Sequence, residues 1–390
     1  MAKTYLQFPQ NAVANSATLK GAELSPPHSF AAGSASSPVV KADQVYFELS
    51  NLCNFKCDFC PLPGSKRAGQ HMELSLFQKG VDEIAEAKIA PGIGFHILGE
   101  PLLSPILVPA LKHATSRGLR ADITTNGSLL LRNVEKLIEA NPTKLAISVQ
   151  SSSEKDHKSR GTSIGFRAYY DGIIEAVRRI KQSSCTTELR LSLMNTYTRK
   201  FFSLDRQPGI NQTGAEYAER FATTIHDVYS AIGRRTSLDQ IRAALRKINL
   251  NESKTVWIAD KIAMQVVLFG DWGNAFTTQE IYPAKVGYCG YALNRVGVLS
   301  NGDVTLCCVD YDGGTTLGNL KTESLVSILT SEKARAVRDG FRRFRVVHPY
   351  CQKCLGGRNR RMALLKGLLG IYLFKLRRHP LQPKSTQLVL

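Results

Sequence analysis

Short apolar segments alternate with amphipathic segments from residue 44 onward. β-Branched and aromatic residues bounded by turn residues predict strands at 44–50, 93–98, 120–124, 144–149 and 187–194, with a sixth at 264–269. Apolar positions at helical spacing predict helices between them, near 74–88, 105–117, 130–140 and 168–182. Such alternation is typical of parallel strands joined by crossover helices. It predicts an α/β fold, either a partial barrel or an open doubly wound sheet, with its chemistry at the carboxyl ends of the strands.

Two regions depart from this alternation. Residues 198–250 are polar and contain two predicted helices, at 214–231 and 237–248, which form either an insertion over the barrel mouth or a long crossover. A second unit begins near Gly287, where Val296–Leu299 and Val304–Cys307 indicate a hairpin with Asn301–Gly302 at its turn. A helix is predicted to follow near 323–338. The predicted organisation is therefore a flexible leader at 1–40, a core at 41–280 with a helical insertion at about 198–250, a small domain at 281–358 and a basic tail at 359–390.

The positive charge is concentrated at the C-terminal end. The chain carries a net charge of +19, and the residues from Phe341 to Leu390 include twelve Lys or Arg and no Asp or Glu, which leaves +7 for the other 340 residues. This distribution argues against a general nucleic-acid-binding role. Nine cysteines in 390 residues are too few for a disulfide scaffold and fit a reducing cytoplasm. The sequence contains no run of eighteen apolar residues and therefore predicts no membrane span.

Cys53, Cys57 and Cys60 lie in one eight-residue loop, CNFKCDFC, directly after the first predicted strand. Three thiolates on one loop can hold three irons of a 4Fe–4S cluster and leave the fourth iron open for a ligand. A zinc knuckle is the alternative, although zinc loops usually pair C-x2-C with a second pair or with histidines.

This loop resembles the signature of the radical S-adenosylmethionine (radical SAM) superfamily. The resemblance implies a partial (β/α)6 barrel in which the open iron binds S-adenosylmethionine and one electron from the cluster generates a 5′-deoxyadenosyl radical. It also implies an external one-electron reductant such as flavodoxin or ferredoxin.

The strand ends supply residues that resemble the family's cofactor contacts. Leu98-Gly99-Glu100-Pro101 is similar to the family's Gly-Gly-Glu-Pro, with Leu98 in place of the first glycine, and implies that Glu100 accepts a hydrogen bond from the methionine ammonium group. Asn126, Ser148 and Arg160 are similar to family residues that contact the cofactor's ribose and carboxylate. Phe59 is expected to lie near the adenine. A guanidinium such as that of Arg160 suits a carboxylate because it can donate two parallel hydrogen bonds.

The later cysteines resemble those of the SPASM family, a C-terminal extension that carries auxiliary clusters. Cys289, Gly302 and Cys307 match its C-x(9–15)-G-x4-C element, and Cys351-x2-Cys354 completes a set of four. The resemblance implies one auxiliary 4Fe–4S cluster held by Cys289, Cys307, Cys351 and Cys354. Tetrahedral zinc is the alternative for such a set.

Cys185 and one member of the Cys307–Cys308 pair remain outside these sets. Neighbouring strand residues face opposite ways, so only one of the pair should face the cluster, and the spacing from Gly302 favours Cys307. Cys308 is then a free thiol, either a small buried residue or, as in radical SAM epimerases, a hydrogen-atom donor. Asp310 and Asp312 are candidate bases or surface turn residues.

The tail contains an apolar stretch with basic flanks at 361–378. It is expected to form either a helix on an anionic membrane surface or a helix packed over the barrel. A helix on the membrane would place the protein at the inner membrane surface.

The leading functional prediction is oxidation or epimerisation of a carbohydrate-like or other small anionic substrate, a lipid-linked one included. The polar N-terminal segment is shorter than the leader-binding domain that peptide-modifying relatives often carry. A peptide maturase and a zinc-stabilised non-catalytic binding protein are the alternatives.

Overall fold

The structure is a computed structural model that describes residues 40–150, 153–196, 210, 213–270, 272–275, 277, 280–376 and 383–390. The predicted leader at 1–40 lies outside these residues apart from residue 40, as does most of the stretch 197–212.

The described residues form eleven strands in one mixed sheet. In chain order the strands are β1 (Gln44–Phe47), β2 (Gly92–Phe95), β3 (Arg120–Thr125), β4 (Lys144–Gln150), β5 (Glu188–Asn195), β6 (Lys254–Ala259), β7 (Ile262–Leu268), β8 (Arg295–Val298), β9 (Asp303–Thr305), β10 (Gly318–Asn319) and β11 (Lys384–Gln387).

The described residues also contain twelve α-helices. They are α1 (Leu74–Glu86), α2 (Leu107–Ser116), α3 (Leu130–Ala140), α4 (Glu154–His157), α5 (Phe166–Gln182), α6 (Gly214–Ala231), α7 (Leu238–Leu245), α8 (Gly290–Asn294), α9 (Leu325–Thr330), α10 (Glu332–Arg342), α11 (Pro349–Cys354) and α12 (Arg360–Gly370).

The sheet order is β10-β9-β8-β1-β2-β3-β4-β5-β7-β6-β11. The seven central strands run parallel to one another, in the order β8-β1-β2-β3-β4-β5-β7. Strand β9 pairs antiparallel with β8 at one end of these seven, and β6 pairs antiparallel with β7 at the other end. The parallel strands connect through helices, as the alternation of the sequence predicts. The C-terminal hairpin β8–β9 extends the sheet beside β1, so the small C-terminal domain is attached directly to the barrel.

One face of the sheet packs against the helices, and the other encloses a cavity. Val45, Ile93 and Leu145 are fully buried on the helix side. Their neighbours Tyr46 and Lys144 point the other way, because side chains alternate along a strand, and line a cavity of about 510 Å³. Residues of β1, β3, β4, β5, β7 and β8 all line this one cavity, so the sheet curls around it. The predicted partial (β/α)6 barrel is confirmed, and we call its cavity the lumen.

Helix α6 favours the crossover interpretation for its own part of residues 198–250, which is the range 214–231. It packs beside α5, and the Tyr217 hydroxyl donates to the carbonyl of Leu193 on β5 at 3.0 Å. The Tyr229 hydroxyl donates to the carbonyl of Ile258 on β6 at 2.8 Å. Helix α6 is therefore a crossover helix of the outer layer and does not cover the barrel mouth.

The sequence pattern does not predict three strands, β6, β10 and β11, and it merges two helices into one. Strand β6 pairs antiparallel with β7 across a tight turn in which Lys261 adopts a φ of 55°. The single helix expected at 323–338 is two helices, because Ser331 has extended backbone and caps α10 by accepting from the amide of Ala334. The predicted hairpin is confirmed, with Gly302 at a φ of 93° in its turn.

Candidate active site

The loop that carries Cys53, Cys57 and Cys60 follows β1 and is held by backbone hydrogen bonds from another part of the chain. The amide of Lys56 donates to the carbonyls of Arg160 and Gly161 at 3.2 Å, and the amide of Asp58 donates to the carbonyl of Ser159 at 2.9 Å. Within the loop, the amide of Cys60 donates to the carbonyl of Cys57 at 3.1 Å. The segment after β4 therefore fixes the conformation of the cysteine loop.

Two glycines allow the neighbouring segments to approach this loop. Gly161 has a φ of 57°, and a Cβ there would lie 2.3 Å from the carbonyl oxygen of Lys56. Gly99 has a φ of 75°, and a Cβ there would lie 2.1 Å from the carbonyl oxygen of Ser50. Only glycine accommodates both the left-handed backbone and these distances. Leu98 is not among the residues with positive φ, so its backbone conformation does not require glycine.

The three thiols lie within electrostatic reach of one another in a buried setting. Burial raises the pKa of each of them, that of Cys60 to about 12. The neighbouring sulfurs raise the pKa of Cys57 and Cys60 further, since like charges disfavour ionisation. Such a set of thiols keeps its protons until a metal centre replaces them.

Glu100 is a buried carboxylate beside the cysteine loop. It is 1% exposed and accepts hydrogen bonds from the amide of Asn126 at 2.6 Å, the hydroxyl of Thr125 at 2.7 Å and the amide of Leu102 at 3.0 Å. These donors are neutral, and burial raises the pKa of Glu100 above its usual range. Its carboxylate is thus pre-positioned and suited to an ammonium group brought by a ligand.

Arg160 is a buried cation at the carboxyl ends of β3 and β4. Its Nη1 donates to the carbonyls of Ser148 at 2.8 Å and Val149 at 3.2 Å, and its guanidinium lies 5.8 Å from the ring centre of Phe59. Its Nε has no hydrogen-bond partner among the described residues. An unpaired donor on a fixed guanidinium suits an anionic ligand at this edge of the sheet.

The remaining predicted cofactor contacts lie at the same edge. The side-chain amide of Asn126 donates toward the Cys53 sulfur at 3.7 Å and to the side-chain oxygen of Asn54 at 2.9 Å. Ser148 lines the lumen, so the lumen reaches the strand end that Arg160 contacts. The structure therefore brings together all of the sequence-predicted residues of this edge, namely Phe59, Gly99, Glu100, Asn126, Ser148 and Arg160.

The second set of cysteines also converges. Burial raises the pKa of Cys307 well above its usual value, and the sulfurs of Cys308, Cys289 and Cys354 raise it further. Burial and the sulfur of Cys289 likewise raise the pKa of Cys351 to about 12. Cys351 belongs to a small apolar cluster against which Cys289 packs. Cys354 lies behind Gly273, where a Cβ would be 3.1 Å from its sulfur. Cys289 and Cys307 therefore lie around the same location as the Cys351–Cys354 pair.

Burial raises the pKa of Cys308 and the sulfur of Cys289 raises it further, so Cys308 also lies within electrostatic reach of this set of cysteines. It packs against Tyr46 and Leu299, and the Arg295 guanidinium lies close enough to donate a hydrogen bond to its sulfur. Arg295 also stacks over the rings of Tyr46 at 5.6 Å and Tyr291 at 4.2 Å. Because Tyr46 and Arg295 line the lumen, Cys308 lies next to the lumen.

Asp310 has a structural position. It is fully buried, and its carboxylate accepts hydrogen bonds from the amides of Gly314 and Thr315 and from the hydroxyl of Thr315, at 2.6–2.9 Å. A carboxylate saturated within its own loop does not support the predicted role of a base. Asp312 accepts from the hydroxyl of Ser65 at 2.6 Å. Cys185 lies on a surface loop, with its sulfur 3.0 Å from the hydroxyl of Thr187.

The lumen contains charged residues that the sequence motifs do not single out. Asp122 is paired with Lys144 at 2.5 Å, and Glu188 is paired with Arg190. Arg295 contacts aromatic rings and a sulfur instead of a carboxylate. His96 contributes an Nδ1 without a hydrogen-bond partner among the described residues. The alternation of polar residues on the predicted strands is the signal that could have revealed this lining.

Both cysteine sets offer thiolates to iron, and a 4Fe–4S cluster binds each thiolate through a different iron. The glycine-lined cysteine loop, the Glu100 carboxylate and the Arg160 guanidinium likewise fit a zwitterionic cofactor such as S-adenosylmethionine.

A partial barrel with a three-cysteine loop after β1 and a second cysteine set beside it defines a two-cluster radical enzyme. The chain matches the Radical SAM superfamily over residues 47–201 and SPASM, an iron–sulfur cluster-binding domain, over residues 289–355. Residues 47–201 therefore form a radical SAM domain, and residues 289–355 form a SPASM domain. The cofactors of the chain are accordingly S-adenosylmethionine and 4Fe–4S clusters.

Three similar proteins illustrate the range of this group. The AdoMet-dependent heme synthase of Methanosarcina barkeri is 32% identical over 143 residues, which are 35% of this chain and 39% of that protein. The S-adenosyl-L-methionine-dependent 2-deoxy-scyllo-inosamine dehydrogenase of Niallia circulans is 30% identical over 118 residues, 29% of this chain and 46% of that protein. The chain spans less than half the length of these two relatives. The structure of Streptococcus suis SuiB bound to precursor peptide SuiA is similar in fold, with a TM-score of 0.51 and 14% identity, over 84% of this chain and 73% of that one.

Proposed function

We propose that this radical SAM enzyme removes a hydrogen atom from a small, anionic, carbohydrate-like substrate held in the lumen, and that the product is an oxidised or epimerised form of it. The observation that carries the proposal is the lumen itself. Its volume of about 510 Å³ is in the usual range for small-molecule sites, and its lining is polar. The relative that acts on 2-deoxy-scyllo-inosamine supports the carbohydrate-like character of the substrate, and Arg295 supports its negative charge.

The proposed roles at the strand ends follow from the contacts. Cys53, Cys57 and Cys60 would hold the open cluster, and Cys289, Cys307, Cys351 and Cys354 the auxiliary one. When bound, these cofactors supply the electron that splits S-adenosylmethionine, the radical that removes a substrate hydrogen, and an acceptor for a substrate electron. Glu100 would bind the methionine ammonium group and Arg160 its carboxylate. Asn126, Ser148, Gly99 and Phe59 would shape the nucleoside site.

Arg295 would bind the anionic group of the substrate. Among the described residues no carboxylate pairs with it, whereas Lys144 and Arg190 are both paired with acids. Aromatic rings on two sides hold the guanidinium in place. A fixed guanidinium without a carboxylate partner, in a partly closed cavity, binds phosphate or carboxylate strongly.

Cys308 would decide between the two outcomes. If its S–H donates a hydrogen atom to the substrate radical, a new C–H bond forms and the product is an epimer. The Cys308 sulfur radical is then converted back to the thiol by one electron from the external flavodoxin- or ferredoxin-type reductant and a proton from solvent. If the radical instead loses an electron and a proton, the product is oxidised.

Coupled turnover tests the proposal. The reconstituted enzyme, supplied with reductant and S-adenosylmethionine, should form 5′-deoxyadenosine faster with sugar phosphates or nucleotide sugars than with neutral sugars or short peptides. Arg295→Gln should remove the stimulation and keep the basal rate, whereas Arg132→Gln on the outer face of α3 should behave as wild type. Stimulation by peptides alone would support a peptide maturase and contradict the proposal.

The same assay in deuterated water separates the outcomes. An epimerase should incorporate one deuterium into its product, and Cys308→Ala should form 5′-deoxyadenosine without that product. An oxidase should incorporate none and should tolerate the substitution.

A further inference from the structure

Helix α12 presents its leucines to solvent. Leu364, Leu365, Leu368 and Leu369 are 48%, 60%, 50% and 46% exposed. A surface helix ordinarily turns its apolar residues toward the core and its polar residues outward. This helix instead buries only Ala363 and Gly367, and its exposed leucines form a continuous apolar surface, here called the leucine surface. Contiguous exposed patches of this kind mark interaction sites.

The orientation of α12 is fixed by small residues. Ala363 and Gly367, one helical turn apart, are buried against the body of the protein. A Cβ at Gly367 would lie 2.2 Å from the carbonyl oxygen of Val286, so the helix backbone packs directly on the 286–287 segment. The leucines cannot replace these residues at the contact because there is no space for a side chain. The leucine surface is therefore a built feature of the fold.

Positive charges border the leucine surface. Arg360, Arg361 and Lys375 are exposed around it, and Lys366 is tethered by a hydrogen bond to the carbonyl of Gly356 at 3.1 Å. The sequence from Phe341 to the C-terminus contains twelve Lys or Arg residues and no acid. An apolar surface with a purely cationic border complements a lipid bilayer that carries anionic head groups.

We propose that the leucine surface docks the protein on an anionic membrane, with α12 lying in the plane of the interface. None of the helices in the described parts of the chain is long and apolar enough to cross a bilayer, so this mode of binding needs no membrane span. The leucines enter the boundary of the acyl chains, and Arg360 and Arg361 pair with lipid phosphates. Cations favour this partner over a second copy of the chain, because two such surfaces would repel each other.

Vesicle flotation with the full-length, cluster-loaded protein tests the proposal without any substrate. The protein should float with vesicles of phosphatidylcholine and phosphatidylglycerol, and much less with vesicles of phosphatidylcholine alone. Leu365→Gln/Leu368→Gln/Leu369→Gln should abolish flotation. Arg360→Gln/Arg361→Gln should weaken it by about fivefold per cation removed, and added salt should weaken it in the same direction.

A matched control lies on α3. Leu131 and Arg132 are also an exposed leucine and an exposed arginine, and Leu131→Gln/Arg132→Gln should float as wild type does. If the triple leucine variant loses iron or does not fold, Leu365→Trp replaces it, and its fluorescence should shift to the blue on addition of anionic vesicles. Absence of flotation by wild type would overturn the proposal, as would equal flotation of the leucine variant. A dimer that the leucine variant dissociates, without vesicle binding, would overturn it too and assign the surface to self-association.

Discussion

Arg67 forms a buried salt bridge with Glu48, at 2.6 Å, between the cysteine-loop segment and the end of β1. Glu48 also accepts hydrogen bonds from the amide and hydroxyl of Ser300 in the hairpin turn, and the Nε of Arg67 donates to the carbonyl of Tyr311 at 2.7 Å. The pair therefore joins the open-cluster loop to the domain that carries the second set of cysteines.

Glu48→Gln should destabilise the protein by about 3 kcal/mol, because it leaves the Arg67 charge buried without a partner. The free energy of unfolding, from anaerobic denaturant titration, measures this. Glu139→Gln, which removes an exposed ion pair with Lys112, is the matched control and should leave stability unchanged. Equal effects of the two substitutions would contradict the structural role of the pair.

Gly161→Ala should displace the cysteine loop and reduce the iron bound at the open cluster, because its Cβ would meet the backbone of Lys56 at 2.3 Å. Gly118 has a similar φ of 73°, but a Cβ added there would have no other atom within 4 Å, so Gly118→Ala tests backbone strain alone. That strain costs about 1 kcal/mol. Iron content and the visible absorption spectrum should distinguish the two variants. If both retain full iron, the close approach of Gly161 is not needed.

Glu100→Gln should weaken S-adenosylmethionine binding while leaving the iron content unchanged. The substitution keeps the shape of the side chain but removes the charge that would face the methionine ammonium group. Hydrogen bonds to charged groups contribute enough that a loss of about ten- to a hundredfold in affinity is expected. Isothermal titration of the oxidised, cluster-loaded protein measures it. Unchanged affinity would remove Glu100 from the cofactor site.

Stability should fall in acid partly through His96. Burial, together with Lys144 and Arg295, lowers the pKa of His96 to about 4, from about 6.5 in the unfolded chain. Below pH 6.5 the unfolded chain therefore takes up a proton that the folded protein does not, and about 1–2 kcal/mol of stability is lost by pH 5. His96→Gln should remove this part of the loss. Melting temperatures of both proteins at pH 7 and pH 5 test it, and identical pH slopes would contradict it.

The sequence predicts the parts of the fold that depend on local pattern. Alternating periodicity locates β1–β5 and their helices, and cysteine spacing predicts two sets of cysteines that the structure brings together. The pairing of Glu48 with Arg67 could not be predicted, because it depends on a loop that folds back onto β1 and meets residues 300 and 311. The outward-facing leucines of α12 could not be predicted either, since their direction is set by the contact of Gly367 with Val286. The structural role of Asp310 escapes the sequence pattern because its hydrogen-bond partners lie in a turn whose conformation that pattern does not determine.

Reductive cleavage of S-adenosylmethionine is the decisive measurement for a two-cluster radical enzyme. The anaerobically reconstituted protein should contain about eight irons, from two clusters of four, and with a one-electron reductant it should convert S-adenosylmethionine to methionine and 5′-deoxyadenosine. Cys57→Ala should lose this activity while retaining the auxiliary cluster, and Cys185→Ala should be fully active. A colourless protein that binds zinc alone, or an iron-loaded protein that forms no 5′-deoxyadenosine, would contradict this assignment.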